Sequence, residues 1–324
     1  MRYDEKEKKG VLMFRDILYS ICNSQVKQIE KRQKDLALDT EAVILSRNQP
    51  YKEKYSPSHL YDVYQPRAIE DPFQLPLIIT IHGGAFIVGD KKYHRYYSGF
   101  IAVQNYQIAP INFRVISEEV NLKEEIQDIF DAINDVVKVF KGFPRLYIMG
   151  ESAGAMLAIL VCAIWNDPNL QKKFGVKVPD YKLSGLALIA CPYNHQLYPK
   201  FMAPINYSSN KMLFARCPEL KELVDAKKLW NKNMPPVFIT DYDKDIFYKR
   251  QLDFEEFLKS RKHPYRSMYV NHKDVDEKLF HTFNVIRPDY EISKKINLAM
   301  ISYFNELATK ENTKKQNKKE KKTA

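Results

Sequence analysis

"RLYIMGESAGAML", residues 145–157, joins an apolar strand-like run to an Ala/Leu/Met-rich helical run through a serine that has a glycine two positions to either side. If a strand ends at Met149 and a helix begins near Ser152, the turn between them is very tight. The serine is then forced into strained backbone with its hydroxyl at the tip. Small residues at 150 and 154 keep side chains out of the adjoining strand and helix, which is the logic of the G-x-S-x-G elbow. The helix also aims its positive end at Ser152, favouring an alkoxide or oxyanion there. The plainer reading is a tight turn with an N-cap serine.

A second stretch favours the chemical reading. "PLIITIHGGAFIVGD" places His82, Gly83, Gly84 and Ala85 at the end of another strand-like run, seventy residues before Ser152. There, residues with little or no side chain let a carbonyl oxygen approach backbone N–H groups.

Working outward, eight short β-branched or aromatic runs read as strands: 41–47, 60–66, 76–83, 107–115, 145–150, 183–191, 235–243 and 265–272. Helical patterns at 118–140, 152–166, 246–261 and 291–309 alternate with the later runs, while the first two runs follow one another directly. That rhythm predicts an α/β fold: an eight-stranded, mostly parallel sheet with helices on both faces and an antiparallel start. Residues 1–40 read as an N-terminal helical cap segment and 41–308 as the catalytic domain, with a cap insertion at about 193–234. Residues 309–324 read as a disordered Lys-rich tail.

The chain has 324 residues and a formal charge of +11, of which the tail, with seven lysines against two glutamates, carries +5. Half the basicity therefore belongs to a solvated tail, and the body shows no basic stripe with interleaved aromatics, so no specific nucleic-acid binding is expected. Cys22, Cys162, Cys191 and Cys217 have no CxxC spacing and read as reduced thiols of a cytoplasmic protein. Arg15 and Asp16 interrupt the first apolar stretch, and no window reaches the length of a spanning helix.

A nucleophilic serine needs a base, and the base an orienting carboxylate. Of His195, His263, His272 and His281, the last lies in a loop just ahead of the final helix, where a catalytic imidazole should hang; His272 is the reserve. For the acid, "PPVFITDYDKDIF" offers Asp241, Asp243 and Asp245. Strand alternation puts Asp241 and Asp243 on one face and cannot choose between them, while Asp245 is placed instead to cap the next helix.

Taken together, "HGGAF", "GESAG", "ITDYDKDIF" and "FHTF" occur in an order that resembles the hormone-sensitive-lipase-like branch of the α/β-hydrolase carboxylesterases, over about residues 55–305. The resemblance implies an α/β-hydrolase fold and a triad of Ser152, Asp243 and His281. It also implies an oxyanion hole formed by the N–H groups of Gly84, Ala85 and Ala153, with His82, Gly83 and Glu151 in support. Ala85 and Ala155 stand where many members carry glycine, and Arg114 alone remains of the tyrosine-arginine-leucine after the fourth strand.

The function expected is a serine esterase that hydrolyses a small-molecule ester with a short acyl chain, needing no cofactor and no metal. A homodimer is compatible with the sequence. An amide, formamide or acetylated-sugar hydrolase with the same triad is the alternative, and a non-catalytic binding protein on this fold a more remote one. Phe86, Tyr93, Tyr96 and Tyr97, and on the N-terminal segment Val11, Leu12, Phe14, Ile17, Leu18 and Ile21, are expected either to line an apolar entrance or to pack in the core.

Overall fold

The computed structural model describes residues 5–196, 203–214 and 216–323. Eight strands form one sheet: β1 (Val43–Pro50), β2 (Leu60–Pro66), β3 (Leu77–Ile81), β4 (Gln107–Ile111), β5 (Leu146–Glu151), β6 (Leu183–Ile189), β7 (Val237–Tyr242) and β8 (Tyr265–Val270). Their spatial order is β1-β2-β4-β3-β5-β6-β7-β8. The pairs β1·β2 and β2·β4 are antiparallel and every other pair is parallel. Each of the eight runs read as strands overlaps one, with β1 and β5 running past the C-terminal ends expected for them.

The helices are α1 (Glu5–Arg32), α2 (Arg95–Ala102), α3 (Leu122–Val139), α4 (Ala153–Trp165), α5 (Pro168–Phe174), α6 (Ala203–Phe214), α7 (Ala226–Leu229), α8 (Tyr248–Ser260), α9 (Phe283–Ile286) and α10 (Glu291–Thr323). They cover both faces of the sheet, so the central strands β3 and β5 are buried along their whole length. Continuous apolar runs such as "LIITI" follow from that, since no strand position faces water. Strand alternation then sorts neighbours onto opposite faces. Ile79, Ile81 and Ile148 pack in the core that includes α3 and α4, whereas Ile78, Tyr147 and Met149 pack in the other, with α2 and α10.

α3 starts at a capping box in which Asn121 and Glu124 bond each other's backbone N–H. α4 is buried at every position, and each large apolar side chain enclosed there contributes about 1.5–3 kcal/mol. Among the described residues no single helix is long and apolar enough to cross a membrane.

Two expectations about organisation need restating. The stretch expected as a disordered tail is helical through Thr323, because α10 runs on past Leu307 without a break. Arg145, at the start of β5, holds that extension: its guanidinium bonds the Ala308 carbonyl, Glu311 and Asn312. Of the expected cap insertion, residues 197–202 and 215 lie outside the described residues, and α6 and α7 make up much of the rest, with α6 packed against α1.

Candidate active site

Ser152 occupies the turn between β5 and α4 with φ +53° and ψ −126°. A side chain in that conformation costs about 1–3 kcal/mol, held in place by the surrounding fold. The N–H of Ser152 donates to Ile189 O at 2.8 Å, and its own carbonyl accepts from Ala155 N at 3.0 Å. The flanking glycines are required by close approach: a Cβ on Gly150 would lie 2.2 Å from the Gly154 carbonyl oxygen, and one on Gly154 would lie 2.2 Å from that of Ile81. Nothing larger than hydrogen fits at either position.

The imidazole reaches this hydroxyl from the loop before α9. His281 Nε2 lies 2.8 Å from Ser152 Oγ, and His281 Nδ1 lies 2.6 Å from Asp245 Oδ2. The other carboxylate oxygen of Asp245 accepts the Phe247 N–H at 2.8 Å. Asp245 therefore caps the turn into α8 and faces the imidazole at once. Burial alone would lower the His281 pKa, but the carboxylate of Asp245, with Glu151 behind it, raises it from the ordinary 6.5 to about 9.

The carboxylate beside His281 is thus Asp245, not Asp243. Backbone pairing explains the difference: Asp243 N still bonds Val270 O, so Asp243 continues the β7·β8 ladder. Its side chain instead meets His272 at the end of β8, Oδ2 to Nδ1 at 2.8 Å, and accepts the His272 N–H at 2.9 Å. The chain leaves the ladder after Asp243, and the turn carries Asp245 across to His281. Asp241 is buried within β7, where its Oδ1 accepts the Tyr242 N–H. Burial, then repulsion from Asp245, holds its carboxyl well above the ordinary range.

The loop after β3 lies opposite. Gly84 has φ +123° and its Cβ position is filled by the Val88 carbonyl, so only glycine fits; Ala85 and Phe86 follow at φ +55° and +68°. Gly84 O accepts from both Ile87 N and Val88 N, folding the loop back on itself. Ala153 N, at the first turn of α4, has no intrahelical acceptor by position.

The three residues expected in support all touch this loop. Glu151 Oε1 accepts the Gly83 N–H at 2.5 Å and lies 3.7 Å from His94 Nε2, while His94 Nδ1 lies 2.8 Å from Thr80 Oγ1. Burial would raise the Glu151 pKa, but His94 and the Gly83 N–H bring it below its ordinary value, so it stays ionised. His82 stacks on Phe113 at 4.3 Å, and its Nδ1 lies 2.9 Å from Gly83 O. Burial pushes its pKa down to about 4 and keeps the ring neutral.

A cavity of about 280 Å³ joins these groups. Its wall includes Ser152, His281, Gly84 and Ala85, and α1 closes another side with Cys22, Val26, Ile29 and Arg32. These four are spaced four, three and three residues apart, one face of a helix. Sequence reading missed this face: of the segment expected at an entrance, Leu18 is core, Ile17 is exposed, and the side chains of Val11, Leu12 and Phe14 lie outside the described residues. Tyr93 lines the cavity, whereas Tyr97 and Phe86 are core.

Residues 61–252 match the BD-FAE family. The chain belongs to this family. Among curated proteins it is similar to Probable carboxylesterase 2 of Arabidopsis thaliana, 22% identical over 273 residues, covering 76% of this chain and 81% of that protein. Among solved structures it is similar to esterase B of Lactobacillus rhamnosis, described as inhibited with a tributyrin phosphonate, with a TM-score of 0.87 at 22% identity over 97% of this chain and 100% of that one. A Pyrobaculum calidifontis esterase follows the same fold with a TM-score of 0.65 at 16% identity, over 91% and 93%. This BD-FAE chain is an α/β-hydrolase of carboxylesterase type, as "HGGAF" and "GESAG" imply.

Proposed function

We propose that the chain is a serine carboxylesterase that cleaves small esters with short acyl chains through an acyl-enzyme. The observation that carries this is the continuous path from Ser152 Oγ to His281 Nε2 (2.8 Å) and from His281 Nδ1 to Asp245 Oδ2 (2.6 Å), opening on the cavity. Ser152 gives its proton to neutral His281 as it attacks the ester carbonyl, and Asp245 keeps the Nδ1–H tautomer and stabilises the imidazolium. The N–H groups of Gly84, Ala85 and Ala153 receive the developing oxyanion. His281 then protonates the departing alcohol, and water, activated by the same imidazole, releases the acid.

The cavity volume supports the short-chain reading, since it falls at the small end of ligand sites, which run from about 300 to 1,000 Å³. The carboxylesterase and esterase names of the similar proteins support the bond class. Ser152→Ala should lower kcat on p-nitrophenyl butyrate by about 10⁵-fold or more and abolish fluorophosphonate labelling. A protein that kept its hydrolysis after losing that hydroxyl would not be this enzyme.

A further inference from the structure

Two cations line the cavity, and neither belongs to the arrangement described above. Arg32, in the last turn of α1, is half-buried and stacks its guanidinium 3.8 Å from the centre of the Phe280 ring. Lys244, exposed in the turn after β7, lies on the wall beside Asp245. Neither forms an ion pair among the described residues. Lys244 lies between two carboxylates in the chain, Asp243, which is bonded to His272 and lies within the field of Lys244, and Asp245, which faces His281.

The anions of the same wall are also committed. Asp245 holds His281 and the Phe247 N–H, and Glu151 holds the Gly83 N–H beside His94. No wall carboxylate forms an ion pair with Arg32 or Lys244 among the described residues. A guanidinium held over an aromatic ring still presents N–H donors suited to a planar, two-oxygen acceptor, which is the shape of a carboxylate. Gln25 and Gln28 of α1 add uncharged polar groups to the same wall.

From this juxtaposition we infer that the ester substrate carries a carboxylate, held by Arg32 and Lys244 while its ester group lies at Ser152. The inference rests on the esterase reading and adds to it the chemical class of the substrate. Binding of that carboxylate strengthens both ground and transition states, so it acts on KM more than on kcat.

Two length-matched pairs, followed by acid release in a pH-stat, test it. Monoethyl adipate is compared with ethyl hexanoate, which places the charge on the acyl side, and the butyryl ester of 4-hydroxybutanoate with butyl butyrate, which places it on the alcohol side. The expected result is a kcat/KM at least tenfold higher for the anionic member of one pair. Arg32→Gln should lower that ratio about tenfold, through KM, and raised salt should lower it as well. Lys244→Gln, at an exposed position, should lower it about threefold, and serves where an Arg32→Gln protein fails to label with fluorophosphonate. Equal rates within both pairs, or a ratio that stays within twofold in the variants, overturns the inference while hydrolysis of the neutral esters leaves the esterase reading standing. A wild-type protein that neither labels nor hydrolyses any of the four esters overturns both.

Discussion

Asp245 Oδ2 lies 2.6 Å from His281 Nδ1, and no other carboxylate oxygen of the described residues bonds that imidazole. The substitution Asp245→Asn keeps the shape but replaces the acceptor that selects the tautomer. Kcat on p-nitrophenyl butyrate should fall by about 10³–10⁴-fold. Asp243→Asn disturbs only the pairing with half-exposed His272 and should stay within about tenfold of wild type. The reverse ranking of the two variants would return the acid's role to Asp243.

The pH dependence follows from the same contact. His281 must be neutral to take the Ser152 proton, so with its pKa raised to about 9, kcat/KM should climb with pH and level off only near that value. Stability moves the other way. A folded-state pKa above the ordinary 6.5 stabilises the fold fully below that value, and the contribution is lost as pH rises through about 9. Thermal melts of wild type against His281→Gln between pH 6 and 10 should converge at the alkaline end. An activity profile already flat from pH 6 would contradict the raised value.

Which parts were legible in the sequence depends on how local the cause is. The eight strands announce themselves because runs such as "PLIITIHG" and "RLYIMG" are apolar at every position of a buried strand. Ser152 and the loop at 83–85 are legible because their geometry is fixed by immediate neighbours, glycine against glycine. His281 followed from its order along the chain. The acid did not, because Asp243 and Asp245 differ by one short turn and the choice is made by Val270 and His272, which hold Asp243 on the neighbouring strand. The cavity-lining face of α1 was hidden for the same kind of reason. Cys22, Val26, Ile29 and Arg32 have no common chemistry, and only docking of the helix puts them together.

Glu151 sits between the elbow and the oxyanion loop, and its carboxylate receives the Gly83 N–H. Glu151→Gln no longer offers an ionised acceptor to the Gly83 N–H, so the loop that carries Gly84 and Ala85 should lose its fixed position. We expect kcat to drop about 10- to 100-fold, with KM little changed, because the lost alignment matters only once the oxyanion forms. A change confined to KM would assign Glu151 to substrate binding instead.

Asp241 is the acid buried within β7. Burial first and Asp245 second favour its protonated form, and Asp241→Asn puts a permanently neutral group of nearly the same shape in its place. Kcat at pH 7 should stay within a few-fold of wild type. Because the folded-state pKa is raised, the stabilisation associated with that proton is full only below the ordinary 3.8 and declines as pH rises above it, so the melting temperature of the variant should gain on wild type from about pH 4 upward and exceed it at pH 7. A large loss of stability at pH 7 would mean that the native group is ionised.

The last prediction concerns the helical extension of α10. Arg145 is buried at the foot of β5, and two of its three acceptors there, Glu311 at 2.5 Å and Asn312 at 2.6 Å, belong to the stretch expected to be disordered. A chain ended at Lys310 strands that guanidinium with the Ala308 carbonyl alone. A chain ended at Thr313 keeps every partner. Since a buried donor that loses its acceptors costs about 1–3 kcal/mol, and more when charged, the shorter chain should melt several degrees below wild type and the longer one should match it. Turnover at 25 °C should be equal in the two, because Arg145 lies at the end of β5 remote from Ser152. Equal melting temperatures would make the contacts of Glu311 and Asn312 incidental and restore the tail to the role of a solvated appendage.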